Sequence, residues 1–171
     1  MFEKEASVLE DLGEHNSQIP KLYSYFSNDN EFYLVQEYVQ GVSLNEIAPI
    51  GSEQAKTILS SLLTTLKYIH SKGIIHRDIK PENIILRDSD HLPVLIDFGA
   101  VKETMGAVTL GSGSTVSSVV IGTRGFMAPE QSSGRSVFST DLYALGLTII
   151  YTLTKKLPVE FSSDQQTGQL D

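Results

Sequence analysis

Four residues within twenty positions, Asp78, Lys80, Asn83 and Asp97, carry the groups needed to move a phosphoryl group from one oxygen to another. They lie in His76-Arg77-Asp78-Ile79-Lys80-Pro81-Glu82-Asn83 and, fourteen residues after Asn83, in Asp97-Phe98-Gly99. Such a transfer asks little covalent chemistry of a protein. It needs an aligned acceptor hydroxyl, a bound metal ion and positive charge beside the oxygens in transit. The Asp78 carboxylate can orient the hydroxyl or take its proton, Asn83 and Asp97 can offer hard oxygen ligands to Mg2+, and Lys80 can neutralise the transferring charge. Taken singly, each of these is most often a solvated loop residue, and a lone Asp-Phe-Gly is a weak signal. As an ordered set with Pro81, Gly99 and a later Ala128-Pro129-Glu130 they form a strong one.

Periodicity supplies the elements that must hold these groups. Phe2, Ala6, Leu9 and Leu12 recur at helical spacing, and Gly13 is expected to stop that helix. The runs 22–26 and 32–39 are rich in aromatic and β-branched residues and flank Ser27-Asn28-Asp29-Asn30, which predicts a hairpin, with Gly41 breaking the strand pattern. From Ser52 as N-cap, the residues Ala55, Ile58, Leu59, Leu62, Leu63, Leu66 and Ile69 trace one helix face that Gly73 ends, delivering the chain to His76. Short apolar strands over 84–86 and 94–96, joined by a polar loop containing Pro93, bring the Asp78 loop and Asp97 to the ends of neighbouring strands. The stretch 102–121 is Gly, Ser, Thr and small apolar residues without a period and reads as a long loop; composition alone fits a flexible linker equally well. The motif that follows, Gly122 through Glu130, favours a functional loop. Ser139 or Thr140 can cap a helix from about 141 to 153. Its apolar run, 142–153, is about half of the roughly 20 residues needed to cross a bilayer and is expected to be a buried core helix.

A length of 171 residues, 40% apolar and 20% charged, is that of a single globular domain. The net charge of −8 speaks against a nucleic-acid partner, which needs clustered Lys and Arg. Without cysteine there is neither a disulfide framework nor a thiolate metal site, which suits a reducing, cytoplasmic setting. Met1-Phe2-Glu3-Lys4-Glu5 lacks the basic start and apolar run of a secretory signal, and no membrane segment is expected in this chain; membrane attachment of a longer parent stays open.

On its two signatures and the Ala-Pro-Glu triplet the chain resembles the eukaryotic-like serine/threonine protein kinases of bacteria. Leu34-Val35-Gln36-Glu37-Tyr38, Ala128-Pro129-Glu130-Gln131 and Asp141-Leu142-Tyr143-Ala144-Leu145-Gly146 carry the bacterial detail. The resemblance implies an α+β, kinase-like fold that is incomplete: 1–39 as the end of the N-terminal lobe, with its helix and hairpin, and 40–171 as a truncated helical C-terminal lobe. It implies ATP and Mg2+ as cofactors and proteins bearing Ser or Thr as substrates. Gln36 becomes the gatekeeper, Glu37 to Val39 the hinge that offers backbone groups to adenine, and Ile85 the residue beneath the base. Arg77 would bind a phosphate on the activation segment, Asp141 would brace the catalytic loop, and Glu5 would be the helix glutamate that pairs with a strand Lys. Lys80 and Thr123 fit the serine/threonine branch, and Glu130 awaits an Arg farther on. Nothing within these residues supplies a Gly-rich phosphate loop or the strand Lys, and Lys4 and Lys21 lie in the wrong places, so weak or no transfer is expected of the chain alone. Two other readings compete: a catalytically inactive interaction module of the same fold, and a phosphotransferase acting on small molecules. One of Thr104, Thr109, Ser112, Ser114, Thr115, Ser117 and Ser118 is the expected phosphorylation site that pairs with Arg77.

Overall fold

A computed structural model describes residues 2–29, 31–103 and 122–161. The chain begins with α1 (Phe2–His15), crosses to the hairpin β1 (Leu22–Asn28) and β2 (Glu31–Gln36), and passes an extended segment into β3 (Gly41–Ser43) and α2 (Leu44–Ile47). The long α3 (Ser52–Ser71) leads to β4 (Ile74–Ile75), β5 (Ile84–Arg87), β6 (Pro93–Leu95) and β7 (Lys102–Glu103). The short α4 (Pro129–Ser132) and α5 (Phe138–Thr154) follow. Helices and small antiparallel sheets are segregated, as in α+β folds.

The α3 stripe forms because apolar residues at i, i+3 and i+4 share one face. Ala55, Ile58, Leu62, Leu66 and Ile69 are buried and join one core with Val8, Leu9 and Leu12 of α1, Ile84 and Leu86 of β5, and Ala144, Leu145 and Ile149 of α5. Each fully buried Leu or Ile contributes about 1.5–3 kcal/mol relative to exposure. Leu63, expected on that face, is 42% exposed: it follows Leu62 by about 100° of helix rotation, which carries it out of the stripe.

Further expectations are corrected. Helix α1 runs through Gly13 to His15, since a single glycine costs a helix only about 1 kcal/mol. Helix α3 is capped by Gly51 without a side-chain bond, and Ser52 is its first residue. Helix α5 starts at Phe138, where the Phe138 ring lies 4.8 Å from that of His70; Thr140 caps from inside by accepting the Val137 N–H at 3.0 Å. Helix α5 is also not buried all round. Leu142 and Tyr143 are exposed while Thr140, Asp141, Thr148 and Thr152 face inward.

The site is framed by the sheet β3-β5-β6, in which β5 is central and antiparallel to both neighbours. Gly41, expected to break a strand, opens β3 instead. It faces Arg87, and a Cβ there would lie 2.2 Å from the Leu86 carbonyl oxygen, so only glycine permits the approach. Pro93, expected in the loop, starts β6 opposite Leu86. The hairpin ends at Gln36, short of the expected 39. Among the described residues, no helix is long and apolar enough to cross a membrane.

Candidate active site

The loop between β4 and β5 carries Asp78, and its backbone is held from behind by one buried carboxylate. Asp141, fully buried near the start of α5, accepts the N–H of His76 at 3.0 Å and the N–H of Arg77 at 2.9 Å. His70 at the end of α3 meets the same carboxylate at 2.8 Å. These bonds hold Arg77 in a left-handed conformation, φ 70°. A side-chain-bearing residue there stores about 1–2 kcal/mol of strain, which persists only where its surroundings over-determine it.

His76, also fully buried, ties this loop to the residue that follows β6. Its Nε2 lies 3.2 Å from the Ile96 carbonyl, which can only accept, so Nε2 carries the hydrogen; its Nδ1 then accepts the Asp78 N–H at 3.3 Å. Burial holds the His76 pKa below the ordinary imidazole value, against the pull of Asp141, and a neutral ring is the form these two bonds require. The Ile96 N–H donates to the Asn83 carbonyl at 2.9 Å. Both backbone groups of Ile96 are thereby fixed, and Asp97 follows directly.

Asp78 stands at the centre of the polar contacts. Its Oδ1 accepts the Thr123 hydroxyl at 2.8 Å and its Oδ2 accepts Asn83 Nδ2 at 3.1 Å. Lys80 Nζ lies 3.0 Å from Asp78 Oδ2 and 3.0 Å from Thr123 Oγ1. Burial opposes ionisation of Asp78, but the bonds from Lys80 and Thr123 outweigh it and hold the carboxyl below its ordinary pKa. At neutral pH the acid is an anion. Asn83 Nδ2 also donates to the Asp78 carbonyl at 2.9 Å, which commits the amide nitrogen and leaves the amide oxygen as the ligating atom. Asp97 is exposed and left-handed, φ 64°, with its side chain accepting the Gly99 N–H at 3.4 Å. Phe98 turns inward, 2% exposed, and packs edge-on against His76 with ring centroids 4.8 Å apart. The ring anchors the turn that begins at Asp97. An amide oxygen and one exposed carboxylate are hard donors that suit Mg2+, which takes one or two carboxylates and completes its shell with water and phosphate oxygens. Among the described residues no group of three or more His, Cys, Asp or Glu could hold a metal alone.

The remaining expected residues fall at defined places. Ile85 lies on the half-buried side of β5, opposite Ser43 and Val94, while its neighbours Ile84 and Leu86 point into the core. Glu37 and Val39 are half-buried in the segment between β2 and β3, where the Glu37 N–H donates to the Lys21 carbonyl at 2.8 Å. A groove of about 390 Å³ is lined by Glu37 to Gln40 and by Arg87 to Ser89. Gln36 ends the hairpin opposite Leu22. Arg77 reaches the Val101 carbonyl from Nη2 at 3.2 Å. Glu130 Oε1 accepts the Thr140 hydroxyl at 2.8 Å, so α4 and α5 are joined by a residue for which an Arg partner was expected. Glu5 belongs to α1, but its side chain lies outside the described residues, as does the stretch 104–121 with its Ser and Thr positions. Sequence reasoning gave no role to His70 or His76; both stand in the same run of sequence as Asp78, and only the fold shows that they grip Asp141 and Ile96.

Asp78 bonded to Lys80 and Asn83, with Asp97 of the Asp-Phe-Gly signature two residues beyond β6, is the arrangement a kinase-type site calls for. The family model described as "Protein kinase domain" matches residues 1–171, and the chain belongs to that family. It is 98% identical over all 171 residues to serine/threonine-protein kinase D of Synechocystis sp., covering 34% of that protein. It is 51% identical over 173 aligned residues to serine/threonine-protein kinase PknA of Nostoc sp., covering 99% of this chain and 31% of the relative. The chain thus spans about a third of the length of these curated relatives. Among solved structures, the Cydia pomonella granulovirus kinase PK-1 superposes with a TM-score of 0.74 over 97% of this chain and 60% of the viral one; at 23% identity this likeness concerns the fold.

Proposed function

We propose that this chain is the catalytic core of a serine/threonine protein kinase that moves the γ-phosphoryl group of ATP to a Ser or Thr hydroxyl of a protein. The observation that carries the proposal is the Thr123 hydroxyl lying between Asp78 Oδ1, at 2.8 Å, and Lys80 Nζ, at 3.0 Å. An aliphatic hydroxyl is already accommodated where an acceptor would be oriented.

In this reading Asp78, ionised, accepts the hydrogen of the acceptor hydroxyl and points its oxygen along the line of attack. Lys80 places positive charge beside the oxygens in transit. Asn83 Oδ1 and Asp97 would hold Mg2+, which when bound supplies charge neutralisation across the phosphates. Val39 and Ile85 offer the half-buried apolar surfaces for adenine, and Glu37 to Val39 the backbone groups. Arg77, Glu130 and Asp141 are proposed to set the loop, and Arg77 is also proposed to meet a phosphate on the activation segment. Support for the serine/threonine class comes from Lys80, Thr123 and the names of the relatives. Residues 1–39 and 40–171 are proposed as the end of one lobe and the core of the other. The intact set of Asp78, Asn83 and Asp97 favours this reading over an inactive interaction module, which has least use for them.

The test is transfer from γ-labelled ATP to a generic protein substrate by the full-length protein, followed by phosphoamino-acid analysis. Label on Ser and Thr supports the reading. Label on a small metabolite with none on protein would replace it by the small-molecule alternative.

A further inference from the structure

Gln131 takes part in none of the steps above, yet it is 2% exposed and its side chain reaches the catalytic loop. Nε2 donates to the carbonyl of Arg77 at 2.5 Å, that is, to the peptide unit joining left-handed Arg77 to Asp78. Asp141 holds N–H groups of the same stretch, at His76 and Arg77. Gln131 therefore grips from the carbonyl side a segment that Asp141 grips from the amide side. A second contact points the same way. Gly122, at φ +139°, has no Cβ, and one built there would lie 2.5 Å from Gln131 Nε2. The next residue, Thr123, gives its hydroxyl to Asp78. One carboxamide is thus seated against both segments that define the acceptor position.

We propose that Gln131 is a positioning residue for phosphoryl transfer: its amide fixes the peptide plane that precedes Asp78 and sets the Gly122-Thr123 segment against it. The inference rests on the kinase reading above. Without the N–H donor the Arg77 carbonyl loses a partner in a part-buried setting, and the peptide is left with the 3.3 Å bond from the Asp78 N–H to His76 Nδ1 on its amide side, a looser hold that lets it turn and take the Asp78 carboxylate with it. A displacement on the order of 1 Å at a reacting group is enough to slow a step about a hundredfold.

The experiment compares Gln131→Met, which keeps the volume and removes the donor, and Gln131→Glu, which keeps the shape and turns an acceptor toward the carbonyl, in the full-length protein. Three readouts are taken: kcat per nucleotide-binding site, KM for ATP, and amide hydrogen exchange at residues 76–78. The expected result is a fall in kcat of about ten- to a hundredfold in both variants, KM for ATP within about twofold, and faster exchange at 76–78. Wild-type kcat per site in Gln131→Met overturns the proposal, whether or not melting temperature falls, because the side chain would then only fill space. Unchanged exchange in both variants overturns it as well. A wild-type protein that phosphorylates no Ser or Thr sinks the kinase reading instead, and the exchange measurement still decides whether Gln131 anchors this loop.

Discussion

Replacing Asp141 by Asn tests how the loop is held, because the substitution keeps the shape and changes only what the group can accept. The carboxylate serves three donors: His76 N–H at 3.0 Å, Arg77 N–H at 2.9 Å and His70 Nε2 at 2.8 Å. Oδ1 serves Arg77 alone and Oδ2 serves the two histidines, so an amide loses least by placing its NH2 toward Arg77. That orientation sets donor against donor at one backbone N–H. Leaving a buried donor unpaired costs about 1–3 kcal/mol, and bonds to an ionised partner that become neutral lose about 1 kcal/mol more. The sum, about 2–4 kcal/mol, is a large fraction of the roughly 5–15 kcal/mol that hold a domain folded. Arg77 would also lose the bond that keeps it left-handed, so Asp78 shifts and kcat falls by about a hundredfold. Urea unfolding followed by circular dichroism and a radiometric transfer assay read the two effects. An unchanged urea midpoint together with kcat within about twofold of wild type would refute the argument that this carboxylate sets the loop.

Other expectations follow from the same geometry. Asp97→Asn should abolish the stabilisation given by Mg2+-ATP, which for a ligand at about a hundred times its Kd is near 2.7 kcal/mol; thermal shift with and without Mg2+ measures it, and an undiminished shift would remove Asp97 from metal binding. His76 is buried with its pKa held below the unfolded value of about 6.5, so the unfolded chain binds the extra proton first as pH falls. Its contribution to stability is whole above about pH 6.5 and declines below it, by at most about 1.4 kcal/mol per pH unit, until the folded pKa is reached. His76→Gln should flatten that part of the profile in urea midpoints taken from about pH 7.5 to 5, and an unchanged slope would count against a neutral His76.

The chemistry of the site was more legible in the sequence than the framework around it. Asp78, Lys80, Asn83 and Asp97 stand out because carboxylates, a lysine and an amide in two short turns have few structural uses; Asp78 contacts Lys80 and Asn83 directly, and Asp97 follows Ile96, whose backbone is bonded to His76 and Asn83. Gly41 misled because a glycine within an extended run signals either a break or a close approach, and the contact with Leu86 that decides between them comes from β5. Helix α2 carries a local signal of its own: Ser43 and Glu46 form a capping box, with Glu46 Oε2 accepting the Ser43 N–H at 2.9 Å. The start of α5 is marked locally only by Thr140, which caps the Val137 N–H from inside the helix; the contact of the Phe138 ring with His70 comes from another element. The same holds for His76. Its neutral tautomer depends on the Ile96 carbonyl, twenty residues away and just beyond β6.

The most direct test of the central claim is kcat for Ser/Thr phosphorylation by Asp78→Asn beside wild type in the full-length protein, with Mg2+-ATP affinity measured on both. Asn retains the size and much of the hydrogen bonding of Asp78 but cannot take the acceptor's proton, so kcat should fall by at least about a hundredfold while nucleotide binding holds. Equal turnover in the two proteins would contradict the assignment of Asp78 as the group that receives the hydroxyl, and with it the reading of this loop as the seat of phosphoryl transfer.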